Sequence, residues 1–169
     1  TTTNNNSNAT RTSAAETAEQ LRTKCRFNGG IIVHLDANGS KLSTDLAQGD
    51  NVLLHVLDPT EKALAASRKR LFDKTAYGQA SAMRYDGKQL PYADNLINMI
   101  VCEKATTVPK AELLRVLRPL GTAYINGQVI LKPWPDDIDE WNHFLHGPDN
   151  NAVAKDKRVN QPRSMQWVA

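Results

Sequence analysis

Three loops, each at the end of a short apolar run, contain the side chains with the clearest potential for chemistry. Their carboxylates can accept hydrogen bonds from hydroxyl or amine groups of a ligand, and a glycine lets the backbone approach a ligand closely. Structural explanations are also open, because Asp58 can cap the helix that follows Pro59-Thr60 and Asp86-Gly87 is an ordinary turn pair. The candidate binding residues are Asp36, Asn38, Gly39, Asp58, Asp86 and Gly87.

Other reactive side chains have a catalytic and a structural interpretation. Glu103 and Lys104 follow an apolar run and could form an acid-base pair, or they are solvated loop residues. Cys102 ends the same run and has no histidine in an obvious partnering position, which favours a core residue over a nucleophile. Cys25 lies far away in the sequence, so neither a zinc motif nor a disulfide is indicated, and the redox state of the two thiols stays open.

A possible metal site occurs near the C-terminus. Asp139, His143 and His146 have the spacing that would place three ligands on one face of a short helix. Alternatively, neighbouring aromatic and apolar residues bury this segment while the histidines bond to nearby loops. We favour the structural alternative and expect no metal.

Composition limits the class of protein but names no partner. The chain has 169 residues, of which 40% are apolar, and 21 basic against 18 acidic residues give a net charge of +3. This excess is small and interspersed, so nucleic acid is not expected as a partner. No apolar run is long enough to span a bilayer.

Strand-like and helix-like segments alternate along the chain. This order predicts an α/β fold, a Rossmann-like, doubly wound and mainly parallel sheet of about five strands with helices on both faces. In such a sheet the three candidate loops converge at the carboxyl ends of the strands. The predicted helices are 14–27 with Ser13 as its cap, 41–47, 60–72 and 110–117, and the predicted strands are 30–35, 51–57, 80–85, 95–102 and 122–126.

The two ends of the chain differ from this middle part. Residues 1–12 are Thr, Asn and Ser with little to bury, which predicts a disordered segment before a folded domain at 13–131. Residues 132–169 hold all three tryptophans and half of the prolines. They are expected to form an irregular, Trp-rich tail or a linker toward a further domain.

The middle part resembles class I S-adenosylmethionine-dependent methyltransferases. The strands ending at Leu35 and at Asp58, the stretch "YDGKQLPYADNLINMIV" and the stretch "ELLRVLRPLGTAYI" follow that family's order and spacing over residues 30–126. The resemblance implies S-adenosylmethionine as cofactor, with the first loop beside its methionine part. It also implies that Asp58 binds the ribose hydroxyls and Asp86 the adenine amine.

The first loop departs from the family pattern. Asp36, Asn38 and Ser40 stand where the family has glycines, Gly39 is displaced between them, and His34 replaces a usual acid. Side chains there occupy space that a ligand needs, and an added carboxylate repels the carboxylate of the cofactor. We therefore expect a closed turn in a degenerate domain, with weak or no cofactor binding.

The tail resembles a junction in large planctomycete-type bacterial proteins. There, a methyltransferase-like domain precedes a quinoprotein-like β-propeller of the pyrroloquinoline-quinone type, and "KPWPDDIDEWNHFLHGPDN" and "QWVA" carry the likeness. Two functions remain open: a methyltransferase acting on an unidentified acceptor, or a non-catalytic binding or scaffold module. The resemblance implies an adjacent propeller or another protein chain as partner, and an exported or periplasmic location.

Overall fold

The computed structural model describes residues 16–74, 76, 78–140, 142–149 and 151–157. The chain divides into two compact units, with the boundary between Lys132 and Pro133. The predicted disordered segment 1–12 and the predicted cap Ser13 lie outside the described residues. Within the described ranges, no helix has both the length and the apolar character needed to cross a membrane.

The first unit is built on one mixed, mostly parallel sheet. The strands are β1 (Gly30–Leu35), β2 (Val52–Asp58), β3 (Ala80–Arg84), β4 (Ile97–Cys102), β5 (Leu117–Ile125) and β6 (Gln128–Leu131). The helices are α1 (Ala18–Lys24), α2 (Lys41–Leu46), α3 (Glu61–Asp73) and α4 (Lys110–Val116). The strand order is β3-β2-β1-β4-β5-β6, and only β6 runs antiparallel among these strands. The predicted Rossmann-like fold is confirmed.

Both faces of the sheet are covered. Ile32 of β1 joins a core cluster with Leu21, Leu46 and Leu64, which come from α1, α2 and α3. Val33 and Leu35 point to the opposite face, into a second cluster that includes residues of α4. Because β1 is apolar on both faces, it takes the central position that a fully buried strand requires.

The strand order reverses beside β1, which pairs with β2 on one side and β4 on the other. In open α/β sheets, ligands bind at the carboxyl ends of the strands at such a reversal. The β1–β4 contact is reinforced where β1 begins, because Asn98 Oδ1 accepts a hydrogen bond from the Ile31 amide at 3.0 Å. A Cβ on Gly30 would lie 2.3 Å from the same Asn98 oxygen, so glycine allows this approach.

The first helix starts later than predicted. Thr17 is its N-cap in extended conformation and forms a capping box with Gln20, so the helix begins at Ala18. It ends at Lys24, before the predicted end at Phe27. The sequence holds two capping signatures here, Ser13 with Glu16 and Thr17 with Gln20, and the helix uses the second.

The last two strands form a hairpin that the sequence pattern did not predict. The predicted strand 122–126 is the second half of β5, which starts at Leu117, and β6 was not predicted. Asn126 and Gly127 have φ of 47° and 85°, as two-residue hairpin turns with positive φ require. On the outermost strand, Val129 and Leu131 are 44% and 54% exposed.

Two neighbouring leucines of β2 provide a test of the core. Leu54 is 2% exposed and Leu53 is 56% exposed. Leu54→Ala should lower the free energy of unfolding by about 2–5 kcal/mol, because it leaves a cavity under α3. Leu53→Ala, the same change on the same strand, should alter it by about 0.5 kcal/mol or less. Equal losses in urea denaturation would contradict the described packing.

Candidate functional site

Asp58 is the centre of the candidate site. Its side chain is fully buried, and both carboxylate oxygens accept hydrogen bonds from the protein itself. Oδ1 accepts the Asn38 amide at 2.8 Å, and Oδ2 accepts the Ser67 hydroxyl at 2.6 Å. Asp58 does not cap α3, because Thr60 Oγ1 accepts the Ala63 amide and fills that role. The alternative that Asp58 is a helix cap is therefore wrong.

The loop that follows β1 is fastened to α3 on both sides of Gly39. The Gly39 amide donates to Ser67 Oγ at 2.9 Å, and its carbonyl accepts from Arg70 Nε at 3.0 Å. Gly39 has φ of 73°, and a Cβ there would lie 3.1 Å from that of Ala66. The glycine therefore permits close packing of the loop on α3.

The carboxylate of Asp36 also bonds within the protein. Asp36 and Asn38 have left-handed φ values of 54° and 46°. Asp36 Oδ1 accepts the Tyr85 hydroxyl at 2.9 Å, and Oδ2 lies 3.9 Å from Cys102 Sγ. Burial and the bond to Asp36 raise the pKa of Tyr85, which keeps its hydroxyl a donor. Burial likewise raises the pKa of Cys102 to about 11, so this thiol is poorly suited to act as a nucleophile.

His34 forms a second polar group beneath the loop. Its ring is fully buried, with Nδ1 2.9 Å from Ser43 Oγ and Nε2 3.6 Å from Glu103 Oε2. The proximity of His34 lowers the pKa of Glu103. A serine, a histidine and an acid in contact resemble a hydrolase triad, but Ser43 is only 1% exposed and no substrate could reach it.

Glu103 thus faces His34, and among the described residues no ion pair joins it to Lys104. Of the two alternatives for these neighbours, the acid-base pair is therefore not formed. Both cysteines are free and buried within the described chain, and burial also raises the pKa of Cys25. The interpretation of Cys102 as a core residue agrees with this burial.

Asp86 and Gly87 form a turn after β3. Asp86 Oδ1 accepts the amides of Lys88 and Gln89, each at 2.8 Å, and these bonds lower the pKa of Asp86. Asp86 is exposed, whereas Gly87 is buried. The residue that connects this region to Asp58 is Tyr85, whose amide donates to the Asp58 carbonyl at 3.2 Å.

Arg115 connects the two later stretches that carry the family resemblance, and its contacts are structural. Arg115 donates to the carbonyl oxygens of Leu90 and Tyr92 at 3.1 and 2.8 Å and forms ion pairs with Glu112 and Asp94. The Leu90 amide in turn donates to Glu112 at 2.8 Å. One arginine of α4 therefore holds the segment that leads into β4.

The candidate ligands of a metal site, which we did not favour, are not on a helix. His143 and His146 face each other across an isolated antiparallel bridge in the C-terminal unit. His146 Nε2 lies 2.6 Å from Asp139 Oδ2, which also accepts the Lys155 amide, while His143 Nδ1 contacts Asn142. The described part of the chain contains no cluster of three or more His, Cys, Asp or Glu residues suited to a metal ion.

The fold is that of class I S-adenosylmethionine-dependent methyltransferases. A protein from Methanococcus maripaludis provisionally assigned to that activity matches with TM-score 0.57 and 20% identity over 64% of this chain and 52% of its own. The methyltransferase from Aquifex aeolicus matches with TM-score 0.53 and 15% identity over 64% and 62%. The [4+2]-cyclase SpnF matches with TM-score 0.56 and 15% identity over 64% and 42%.

The chain thus spans about half of the length of the solved structures that it matches. No protein-family profile matches the sequence, and no curated protein is similar to it. At these identities the likeness establishes the fold alone.

Several residues of the site were not identified from the sequence. Ser67 belongs to the buried face of α3, where it stands among apolar residues. A serine at such a position signals a buried polar partner, which here is Asp58. Tyr85 is an aromatic residue directly before the predicted Asp86, and its position at the end of a strand was the available signal.

Replacing Asp58 tests whether it is a structural acid. Asp58→Ala should lower the free energy of unfolding by about 2–4 kcal/mol, because the Asn38 amide and the Ser67 hydroxyl lose their buried acceptor. Asp86→Ala removes an exposed carboxylate and should leave the denaturation midpoint nearer to that of the wild type. An acid kept for binding is often neutral or costly for stability, so an unchanged or increased stability of Asp58→Ala would contradict the structural role.

Proposed function

We propose that this chain is a non-catalytic, methyltransferase-fold binding module that binds S-adenosylmethionine weakly or not at all. The observation that carries the proposal is the complete burial of Asp58, with both oxygens bonded to Asn38 and Ser67. A carboxylate that binds ribose hydroxyls must present an oxygen to the ligand. This one presents both to the interior.

The neighbouring residues do not fit the cofactor either. At positions where the family has glycines, Asp36 and Asn38 carry side chains on a backbone with left-handed φ. The side of Gly39 that lacks a Cβ faces Ala66 of α3. A nearby negative charge at Asp36 would also disfavour the carboxylate of the methionine part. Asp86 keeps an exposed carboxylate, but a single adenine contact supports little affinity.

The fold itself does not require methyl transfer. SpnF shares it and is described as a [4+2]-cyclase. A function must therefore be argued from the site, and the site of this chain is filled with contacts between its own residues.

Binding through the C-terminal unit is the second part of the proposal. This unit exposes several large apolar side chains, which are available to contact a partner. Phe144 is 94% exposed, Val153 63% and Trp134 42%. The sequence resemblance described above supports a quinoprotein-like β-propeller of the pyrroloquinoline-quinone type as the domain that this unit contacts.

Calorimetry tests the loss of cofactor binding. S-adenosylmethionine, S-adenosylhomocysteine and adenosine should each give a Kd above about 1 mM, whereas an active class I methyltransferase should bind the first two under the same conditions. Asp36→Gly/Asn38→Gly restores two family glycines at positions that already have positive φ. It leaves Ser40, the N-cap of α2, in place. Because Asp58 stays buried, this variant should not bind either.

Micromolar binding of S-adenosylmethionine or S-adenosylhomocysteine by the wild type would overturn the proposal in favour of a methyltransferase. Binding by the double glycine variant alone would show that the loop, and not the sequestered acid, is the obstacle. Circular dichroism of the variant provides the folding control.

A separately produced β-propeller of the same quinoprotein type tests the binding partner. It should bind the wild type in calorimetry, and Phe144→Ser should weaken binding because an exposed aromatic contact is lost. Phe72→Ser, which changes another highly exposed phenylalanine, on α3 (75% exposed), is the matched control. No binding, or equal loss in both variants, would contradict a role of the C-terminal unit.

A further inference from the structure

Two adjoining grooves lie on the side of the sheet covered by α2 and α3. One runs between α2 and the end of α3, has a volume of about 440 Å³ and is lined by polar residues such as Gln48 and Gln79. The other, also about 440 Å³, runs between α3 and the loop at Asn38 and Gly39. Arg70 and Lys74 line both grooves. Volumes of this size suit small molecules.

Arg70 is fixed in place at this junction. Its Nε donates to the Gly39 carbonyl at 3.0 Å, which orients the planar guanidinium. Its two terminal nitrogens have no hydrogen-bond partner among the residues that the structure describes. When Nε of an arginine is bonded to the backbone and both Nη atoms are free, the guanidinium is preorganised to bind an oxyanion through the Nη donors.

The grooves carry an uncompensated positive charge. Lys41 is paired with Asp45 and Lys69 with Asp73, each at 2.8 Å. Arg70 and Lys74, the two cations common to both grooves, form no ion pair within the described part of the chain. The excess charge is therefore concentrated where the grooves meet.

We propose that this junction binds a small phosphate-bearing molecule. The Arg70 fork would hold two phosphate oxygens, Lys74 would supply a mobile positive charge, and the side-chain amide of Gln48 would contact the remainder of the ligand. A phosphate fits better than a single carboxylate, since its several oxygens can engage both cations at once. Asn38 and Gly39 of the candidate cofactor loop line one of the grooves, whereas the two cations that would bind the phosphate belong to the last turn and the C-cap of α3.

Titration with sodium pyrophosphate in magnesium-free, low-salt buffer tests the proposal. Binding should appear in calorimetry, with amide shifts at Gly39, Arg70 and Lys74 in NMR spectra. Lys74→Gln should weaken binding about tenfold or more, as expected for the loss of one charged hydrogen bond. Lys88→Gln, the same charge change in the turn after β3, should bind like the wild type. Arg70→Lys should also weaken binding, because it keeps the charge and removes the fork.

Sulfate and citrate serve as competing anions in the same titration. The absence of pyrophosphate binding would overturn the proposal, as would equal losses in Lys74→Gln and Lys88→Gln, which would indicate a diffuse charge effect. Citrate binding as tight as pyrophosphate binding would overturn the assignment to phosphate. Unchanged circular dichroism spectra of all variants are required for each comparison.

Discussion

The buried carboxylate of Asp58 organises the structure at the carboxyl ends of the central strands. It joins the end of β2 to the loop after β1, through the Asn38 amide, and to the middle of α3, through Ser67. The same serine accepts the Gly39 amide, so three separate parts of the chain share one connected set of hydrogen bonds. A buried charge is tolerated only when its hydrogen bonds are satisfied. Here that requirement holds the loop after β1 against α3. The methyltransferase-like fold is retained, but the polar groups at the carboxyl ends of its strands bond to one another.

The strand and helix order follows from the sequence because the apolar runs are short, regular and separated by turn residues. Two features were harder to predict from the sequence. The start of α1 was misplaced because two capping signatures overlap, and the helix uses the one in which Thr17 is the N-cap. The final hairpin was missed although Asn126-Gly127 is a strong turn signal, since Pro119 and Gly121 interrupt the apolar pattern of the strand before it.

The location of the site could be predicted from the sequence, but the roles of its residues could be predicted less well. The topology brings the ends of β1 and β2 together, so the loops at Asp36 and Asp58 were expected to meet. Whether an acid at that point faces a ligand or the interior depends on a residue elsewhere in the sequence. Ser67 and Tyr85 supply the partners of Asp58 and Asp36, and the spacing between a strand end and a helix interior does not reveal such pairs.

The position of β1 also sets the order in which the chain can assemble. Its contact with β4 joins residues 67 positions apart, whereas β2 is the next strand along the chain, with only α2 between the two. At a synthesis rate of about 5–20 residues per second, β4 leaves the ribosome several seconds after β1. Throughout that interval one side of an apolar strand has no partner, and closing the long loop is entropically costly. The centre of the sheet is therefore completed late, and nascent chains are most vulnerable to association with one another before Ile97 is made.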